Sequence, residues 1–235
     1  MLIKYLNKCI LLTIIAFTLA ACGHTSDNAA STSPSSVPND SLIHLVKAND
    51  VIISASKHTD SDVFKGLIVQ VDQLSEHFDW TNVTNKTYYP VVHIADINGD
   101  DQNEIVIILT TGYGTGMNEQ EIHVLNKEDL TELSLEDPLL AIKDEVTSEI
   151  LHEQDQVKVV VKTDTDNVEQ NYLESDAVLW NEEVSFGSVI GYSAADGVIT
   201  ATVPGSVSPA AFTVNAILEY GSDLKVRSIS LEPIE

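Results

Sequence analysis

Residues Glu104–Thr110 (EIVIILT) form the run that most constrains how this chain can fold, because five apolar side chains follow one another. In an extended strand, successive side chains point to opposite faces of the sheet. A strand that is apolar on both faces must therefore be covered on both sides. We predict that this segment is a central strand with a further layer packed against each face.

Most of the chain after Leu42 also has strand-like patterns separated by turn signals. Asp196 and Gly197 form the strongest hairpin signal, since a type I′ turn needs positive φ at both central positions. Asp72 and Gln73 predict a second tight turn. The other predicted strands are Val51–Ser56, Gly66–Val71, Leu74–Trp80, Tyr88–Ala95, Glu121–Leu125, Val157–Lys162, Val168–Tyr172, Phe186–Tyr192, Val198–Val203, Phe212–Tyr220 and Leu224–Leu231.

One helix is predicted near Pro138–Glu149. Asp137 suits the N-cap and Pro138 suits the first helical position. An apolar stripe then follows at helical spacing, formed by Leu139, Ile142, Val146 and Ile150. The predicted fold class is mainly β, with antiparallel sheets or a meander and one packed α-helix near 138–149.

The first 21 residues have the organisation of a bacterial lipoprotein signal peptide. Lys4 and Lys8 provide a basic region, and residues 9–20 (CILLTIIAFTLA) form an apolar stretch too short for a comfortable membrane span. The stretch ends in LAAC at residues 19–22, which resembles the lipobox, whose cysteine receives lipid and becomes the new N-terminus. We predict a signal-peptide helix over 1–21 and lipidation of Cys22. The alternative is a plain secretory signal with an incidental cysteine.

Residues 22–41 are predicted to be the lipid-anchored cysteine and a flexible linker rich in Ser, Thr and Pro. A single β-rich domain is expected over 42–235. Cleavage would remove Cys9 and leave Cys22 as the only cysteine, so a lipidated chain has no intramolecular disulfide. The predicted location is extracytoplasmic, with lipid holding the protein to the bacterial cell membrane, on its outer face in a Gram-positive cell.

The charge balance excludes one class of partner. Asp and Glu number 36 against 12 Lys and Arg, which gives a formal net charge of −24. Nucleic-acid affinity comes largely from Lys and Arg that neutralise phosphates, so nucleic acid is excluded as a general partner. The same charge disfavours direct contact with an anionic membrane surface and suits cationic partners or high solubility.

The loop Asp96–Glu104 (DINGDDQNE) lies between two predicted strands and carries the clearest chemistry. Oxygen-bearing side chains occur at its first, third, fifth and ninth positions, and a main-chain oxygen is available at the seventh. This spacing can wrap a loop around one hard cation, and Gly99 permits the sharp bend. The candidate metal ligands are Asp96, Asn98, Asp100, Gln102 through its main-chain oxygen, and Glu104.

Ile107 stands where an EF-hand would have its bidentate Glu, and a strand follows instead of a helix, so the loop is not an EF-hand. Residues 91–109 instead resemble the calcium loop of FG-GAP/VCBS-type repeats, and the similar unit extends over about 91–125. That resemblance implies the same five ligands and a structural Ca²⁺. Asp101 replaces the usual glycine, but Asp tolerates positive φ. The alternative is an Asx-rich turn that binds no ion.

Several other stretches resemble uncharacterised secreted lipoproteins of Gram-positive bacteria. This resemblance implies a lipoprotein and supplies no catalytic residues. The similar stretches are residues 80–84 (WTNVT), 88–90 (YYP), 108–116 (ILTTGYGTG), 121–126 (EIHVLN), 184–188 (VSFGS) and 207–210 (VSPA).

Four further motifs are better explained by ordinary structure. Residues 112–116 (GYGTG) lack the following helix and Lys of a phosphate loop and indicate a bulge or loop. Residues 54–57 (SASK) match an acyl-enzyme pattern but lie in a predicted strand without the accessory motifs. His93 and His123 are predicted to occupy ordinary sheet positions, and residues 164–167 (DTDN) a hairpin turn instead of a second cation loop.

The function predicted from these observations is a non-catalytic binding or cell-envelope interaction module that is anchored by lipid and stabilised by one Ca²⁺. Two alternatives stay open. One is a cell-envelope enzyme, for example a hydrolase, that uses carboxylates near Gly112–Gly116. The other is a structural or inhibitor lipoprotein.

Overall fold

The structure is a computed structural model that describes residues 41–57, 61–114 and 117–234. The predicted signal peptide, Cys22 and the linker up to residue 40 lie outside the described residues. The described part is mainly β, with four antiparallel sheets and one α-helix, as expected from the sequence. In these ranges no helix is long and apolar enough to cross a membrane.

The first two sheets have four strands each. Sheet 1 has the order β1-β2-β3-β4 and sheet 2 the order β5-β6-β7-β8. The strands of sheet 1 are β1 (Leu42–Ala48), β2 (Val51–Ser56), β3 (Val63–Val71) and β4 (Leu74–Val83). Those of sheet 2 are β5 (Val91–Ala95), β6 (Glu104–Gly114), β7 (Met117–Asn126) and β8 (Glu132–Leu133).

Helix α1 (Pro138–Glu145) separates sheet 2 from the remaining strands along the chain. Sheet 3 has the order β11-β10-β9, and sheet 4 has the order β12-β14-β15-β16, with β13 also paired to β14. Sheet 3 contains β9 (Thr147–Glu153), β10 (Gln156–Lys162) and β11 (Asn167–Leu173). Sheet 4 contains β12 (Ser185–Phe186), β13 (Gly191–Ala195), β14 (Val198–Ser208), β15 (Ala211–Tyr220) and β16 (Val226–Pro233).

Strand β6 is buried on both faces, which confirms the prediction for residues 104–110. Ile105, Ile107 and Leu109 belong to the core that sheet 1 covers, which we call core II. Val106 faces the other way, into the core formed with sheets 3 and 4 and α1, which we call core I. The two cores therefore share β6, and the adjacent β7 also contributes to both through Val124 and Leu125.

Asn82 fixes sheet 1 to β6 by hydrogen bonds inside the protein. Its side chain is fully buried. The amide Nδ2 donates to the carbonyls of Val83 (2.8 Å) and Tyr88 (2.9 Å), and Oδ1 accepts from the N–H of Thr110 (2.9 Å). One side chain thus satisfies three backbone groups from three parts of the chain.

The helix begins as predicted but is shorter. Asp137 caps it by accepting from the N–H of Leu139 (2.9 Å), and Pro138 is its first residue. It ends at Glu145 instead of Glu149, and Ile150 lies on β9, where it pairs with Val159 of β10. The β-branched residues that follow Glu145 favour extended backbone, and pairing with β10 provides their hydrogen bonds.

The prediction of one continuous strand over Phe186–Tyr192 is also wrong, because the structure has two short strands there. Gly187 has φ of +101° and separates β12 from β13.

Two turn predictions are confirmed: Asp196 and Gly197 have φ of +52° and +77° in the β13–β14 hairpin, and Asp72 has φ of +51° between β3 and β4. Strand β1 was not predicted.

We expect Asn82→Ala to lower the free energy of unfolding by about 2–4 kcal/mol, because three buried backbone groups lose their partner. Urea denaturation would measure this loss. Asn85→Ala is the matched control, since Asn85 only caps the exposed turn at Lys86–Tyr88 and its loss costs about 0.5–1 kcal/mol. Equal effects of the two substitutions would contradict the role of Asn82.

Candidate functional site

The predicted cation loop joins β5 to β6, so it leads directly into the central strand that is buried on both faces. Gly99 has φ of +79°, as expected for the sharp bend. Asp101 has φ of +67°, as expected for a position at which the FG-GAP/VCBS-type pattern that the loop resembles has glycine. Ile97 belongs to core I, which anchors the start of the loop to the protein interior.

Glu104 is the most unusual residue of this loop, because its side chain is only 1% exposed. Its Oε2 accepts from the N–H groups of Ile97 (2.8 Å) and Asn98 (3.3 Å), and its Oε1 accepts from Nδ2 of Asn98 (3.2 Å). These bonds hold the start of β6 against the start of the loop.

Asp96 organises the other side of the loop. Its Oδ1 accepts from the N–H groups of Gly99 (2.7 Å) and Asp100 (3.2 Å), and its Oδ2 accepts from that of Asp101 (3.0 Å). Asn98 Oδ1 accepts from the N–H of Asp100 (2.9 Å). The loop therefore closes on itself with its polar oxygens turned inward.

Three of the five candidate ligands are connected by direct side-chain contacts, and Asp96 joins them through the backbone. Asn98 Nδ2 donates both to Asp100 Oδ2 (3.1 Å) and to Glu104, and Asp96 binds the backbone between them. Gln102 is attached only through its N–H, which donates to Asp100 Oδ1 (2.8 Å). Its side-chain amide faces the carboxylate of Glu128 at 3.0 Å.

The charge of the loop is not balanced by nearby cationic side chains. Among the described residues, no ion pair involves the carboxylates of Asp96, Asp100, Asp101 or Glu104. Over the same ranges, no three His, Cys, Asp or Glu side chains converge as a ready metal-ligand group. The carboxylates of Asp96, Asp100 and Glu104 instead accept hydrogen bonds from N–H groups, and each retains further lone pairs.

Two turns of sheet 4 lie against the loop. A Cβ added to Gly197 would be 3.4 Å from the carbonyl oxygen of Asp96, and one added to Gly99 would be 3.9 Å from Cβ of Ser222. The loop therefore lies where the end of sheet 2 meets the β13–β14 and β15–β16 turns. Its conformation affects how sheets 2 and 4 fit together.

The other sequence motifs occupy ordinary structural positions. A register shift between Thr110 and Gly112 marks the expected bulge in β6, while residues 115–116 lie outside the described residues. Residues 164–166 lie in the β10–β11 turn, where Thr163 N–H donates to the carbonyl of Asp166 (2.9 Å). His93 lies on β5 and His123 on β7 with β6 between them, which places them two strands apart.

Ser54 has a histidine partner that the sequence did not reveal. Its Oγ lies 2.8 Å from Nδ1 of His44, directly across the β1–β2 pair. Ser54 is buried within the regular strand β2, as expected for an incidental match to the acyl-enzyme pattern. The contact is that of a cross-strand pair in a sheet.

A cleft of about 390 Å³ follows the edge of β7 that faces sheet 4. We call it the β7 cleft. Its walls are β7, the segment that leads into α1, and the segment between β12 and β13. The carboxylate residues in its lining are Glu119, Glu121, Glu136 and Asp137, and its apolar residues are Ile122, Leu135, Pro138, Val189 and Ile190.

Tyr192 lies in the wall of the β7 cleft, where its pKa is raised. Burial, and then the negative charges of Asp137 and Glu121, raise the pKa of Tyr192 to about 12. Burial likewise raises the pKa of the neighbouring Tyr220, whose hydroxyl donates to the carbonyl of Glu136 (3.0 Å). Asp137 and Glu121, which come from separate segments of the chain, therefore both place negative charge near this cleft.

Comparison of the chain with protein-family models, with curated proteins and with solved structures finds no match. The FG-GAP/VCBS-like and lipoprotein resemblances therefore stay predictions that rest on the residues themselves.

We expect Glu104→Ala to lower the free energy of unfolding by about 2–4 kcal/mol in EDTA, because buried donors of Ile97 and Asn98 lose their acceptor. Chemical denaturation with a chelator present measures the hydrogen-bond contribution apart from any cation. Glu76→Ala, at an exposed position of β4, is the control and should change stability by less than about 0.5 kcal/mol. A Glu104 variant as stable as this control would show that the loop does not depend on these bonds.

Proposed function

We propose that this protein is an extracytoplasmic binding module of the cell envelope, anchored by lipid on Cys22 and stabilised by one Ca²⁺ in the loop Asp96–Glu104. The observation that carries the proposal is the position of Glu104, a carboxylate that is 1% exposed, accepts hydrogen bonds from Ile97 and Asn98 and has no ion-pair partner among the described residues. No catalytic residue is assigned.

The chemistry of the loop fits Ca²⁺ better than a transition metal. The side chains of Asp96, Asn98, Asp100 and Glu104 offer only carboxylate and amide oxygens, and Gln102 adds a main-chain oxygen. Ca²⁺ takes six to eight oxygen ligands, whereas zinc prefers nitrogen and sulfur. The cation would be held by these five residues and by water.

A cation would also remove an electrostatic cost. Removing a carboxylate from water is expensive unless a counter-charge or good hydrogen bonds compensate. Glu104 has the hydrogen bonds, and Asp96, Asp100 and Asp101 add negative charge within the same loop. We therefore assign a structural role to Ca²⁺: it holds together a loop that otherwise repels itself next to the central strand.

The anchor and the domain fit a protein that works just outside the membrane. Residues 22–41 separate the predicted lipid from β1, and a flexible linker of that length has a mean reach of roughly 20–25 Å. With a formal charge of −24, the domain would be repelled by an anionic bilayer while lipid retains it nearby. The same charge favours partners or ligands that are cationic.

We expect Ca²⁺ to raise the melting temperature of the full-length chain in nonionic detergent. For a site with Kd of about 0.1 mM, about 2 mM Ca²⁺ contributes roughly 1.8 kcal/mol, or about 4–7 °C for a chain of this size. Asp96→Asn/Asp100→Asn keeps one acceptor oxygen on each side chain but removes two charges, so this variant should lose the shift.

Asp144→Asn/Glu145→Gln is the matched control, because it removes two exposed charges from α1 far along the chain from the loop. It should keep the full Ca²⁺ response. An equal Ca²⁺-induced shift in both double variants would indicate general screening of charge. No shift in the wild type would show that the loop is an Asx-rich turn that binds no Ca²⁺.

We expect the full-length chain to incorporate labelled palmitate and to enter the detergent phase when it is expressed in a bacterium that processes lipoproteins. Cys22→Ser should abolish the label and leave an uncleaved precursor. Cys9→Ser is the control and should label normally, since residue 9 lies in the segment that is removed. Labelling of the Cys22 variant would contradict the proposed anchor.

A further inference from the structure

We propose that the β7 cleft binds a short extended peptide segment as an added strand along β7, with an apolar residue between two lysine or arginine residues. This inference rests on the proposed role as a binding module, but it does not depend on the Ca²⁺ loop. It is argued from a gap in the hydrogen-bond ladder of β7, from the walls of that gap and from the alternation of side chains around it.

The outer edge of β7 is the edge that faces away from β6. The N–H of Gln120 donates across this edge to the carbonyl of Ile190 (3.2 Å), and the N–H of Asn126 donates across it to the carbonyl of Thr131 (2.9 Å). Every second residue of a strand directs its N–H and C=O to the same edge. The N–H and C=O of Ile122 therefore also point to the outer edge.

The hydrogen-bond ladder along this edge has a gap at Ile122. Strand β8 pairs with Val124 and Leu125, and within the described residues Ile122 is paired only with Ile108 of β6. Its outward N–H and C=O thus offer one donor and one acceptor to the cleft. An extended peptide residue opposite Ile122 would accept from the first and donate to the second, as when a peptide adds to a sheet edge.

The gap stays open because the chain leaves β7 after Leu133 and attaches to sheet 4. The N–H of Glu136 donates to the carbonyl of Leu224 (3.0 Å), and its Oε2 accepts from the N–H of Val226 (2.7 Å). These bonds hold one wall of the cleft away from the edge of β7.

The opposite wall is attached to β7 itself. Oε1 of Gln120 accepts from the N–H of Tyr192 (2.6 Å), beside the backbone bond from Gln120 to Ile190. The gap therefore extends from Gln120 to Val124, which is about 13 Å of strand at 3.3–3.4 Å per residue. Three extended residues fit this length.

The apolar side of the gap selects the middle residue of the peptide. The side chains of Ile122, Leu135 and Ile190 all pack against core I. In an antiparallel pair, two residues directly opposite each other have their side chains on the same face of the sheet. The peptide residue opposite Ile122 would therefore contact these three aliphatic side chains, which favours valine, isoleucine or leucine.

The other face of β7 selects the two flanking residues. Because side chains alternate along a strand, Glu119, Glu121 and His123 lie on the face opposite to Ile122. Glu132 is on that face too, since its Oε1 lies 2.6 Å from Nδ1 of His123. Among the described residues, no Lys or Arg forms an ion pair with these three carboxylates. The flanking peptide residues would face them, which favours lysine or arginine at both positions.

Isothermal titration of the full-length chain in nonionic detergent, with EDTA present, tests the proposal. The probe is the tripeptide Lys-Val-Lys, acetylated at its N-terminus and amidated at its C-terminus. We expect 1:1 binding with a Kd of about 1 mM or tighter, since only a few groups are in contact. No binding at about 10 mM peptide would overturn the proposal.

The blocked tripeptide Lys-Lys-Val is a control for the alternation of side chains. It has the same composition and charge as Lys-Val-Lys, but it cannot place valine opposite Ile122 with a lysine on each side. We expect it to bind roughly fivefold or more weakly, because one charge-assisted contact is lost. Equal affinity for the two peptides would overturn the proposed pattern.

A third peptide tests the added strand directly. It is Lys-Val-Lys with a methyl group on the backbone nitrogen of valine, which keeps both charges and every side chain but removes the N–H that would donate to the carbonyl of Ile122. We expect binding to weaken roughly tenfold, because this hydrogen bond is lost. A methylated peptide that binds as tightly as the parent would exclude strand addition.

Hydrogen exchange gives a readout on the protein. The N–H of Ile122 should exchange more slowly in saturating Lys-Val-Lys, since it gains an acceptor, while the N–H of Gln120, already bonded to Ile190, should change little. Unchanged exchange at Ile122 with the peptide bound would place the peptide elsewhere and overturn the site.

The test variant is Glu119→Gln/Glu121→Gln, which removes two exposed charges beside the gap and leaves the backbone edge in place. We expect it to bind Lys-Val-Lys roughly tenfold more weakly. Asp144→Asn/Glu145→Gln removes the same charge from α1 and should bind like the wild type. Circular dichroism and melting temperature establish that both variants are folded. An equal loss in both variants would overturn the site in favour of general charge attraction.

These results are separable from failure of the proposed function. The palmitate label and the Ca²⁺ shift are measured on residues outside the β7 cleft, so either can fail while peptide binding persists. Loss of peptide binding alone would leave the anchored, Ca²⁺-stabilised module in place without this ligand.

Discussion

Burial of β6 on both faces is the constraint on which the rest of the structure depends. Ile105, Ile107 and Leu109 complete core II under sheet 1, while Val106 completes core I with sheets 3 and 4. Each fully buried aliphatic side chain contributes a few kcal/mol, so the strand contributes to both halves of the described protein. Asn82 adds a buried hydrogen bond between sheets 1 and 2, since its Oδ1 accepts from the backbone N–H of Thr110 on β6.

The candidate sites are placed by this strand and its immediate neighbours. The loop Asp96–Glu104 enters β6, and the buried Glu104 is both the end of the loop and the first residue of the strand. Strand β7 pairs along β6, and its uncovered edge forms one wall of the β7 cleft. The loop Asp96–Glu104 is therefore attached to the core, while the cleft lies at a boundary between sheets, where ligand sites commonly form.

The conformation of the loop was predictable from the sequence because all five candidate ligands lie within nine consecutive residues. Local spacing and the special conformations of Gly99 and Asp101 follow from residue chemistry, and the structure has the positive φ values that were expected. The β7 cleft was not predictable in this way. Its parts come from β7, from Glu136 and Asp137, and from Tyr192, which are distant in sequence and have no shared motif.

The sequence by itself determined the β class and the central strand that is buried on both faces, because these depend on the alternation of side chains. It also determined the cap of α1 at Asp137 and the turn at Asp196 and Gly197, which depend on local backbone preferences. Only the tertiary structure decided where α1 ends, that residues 186–192 break at Gly187, and which polar groups meet. Pairing of Ile150 with Val159 overrides a helical stripe, and the partner of His123 Nδ1 is Glu132 on β8. Such contacts depend on how the sheets pack, and the local pattern of residues does not specify that packing.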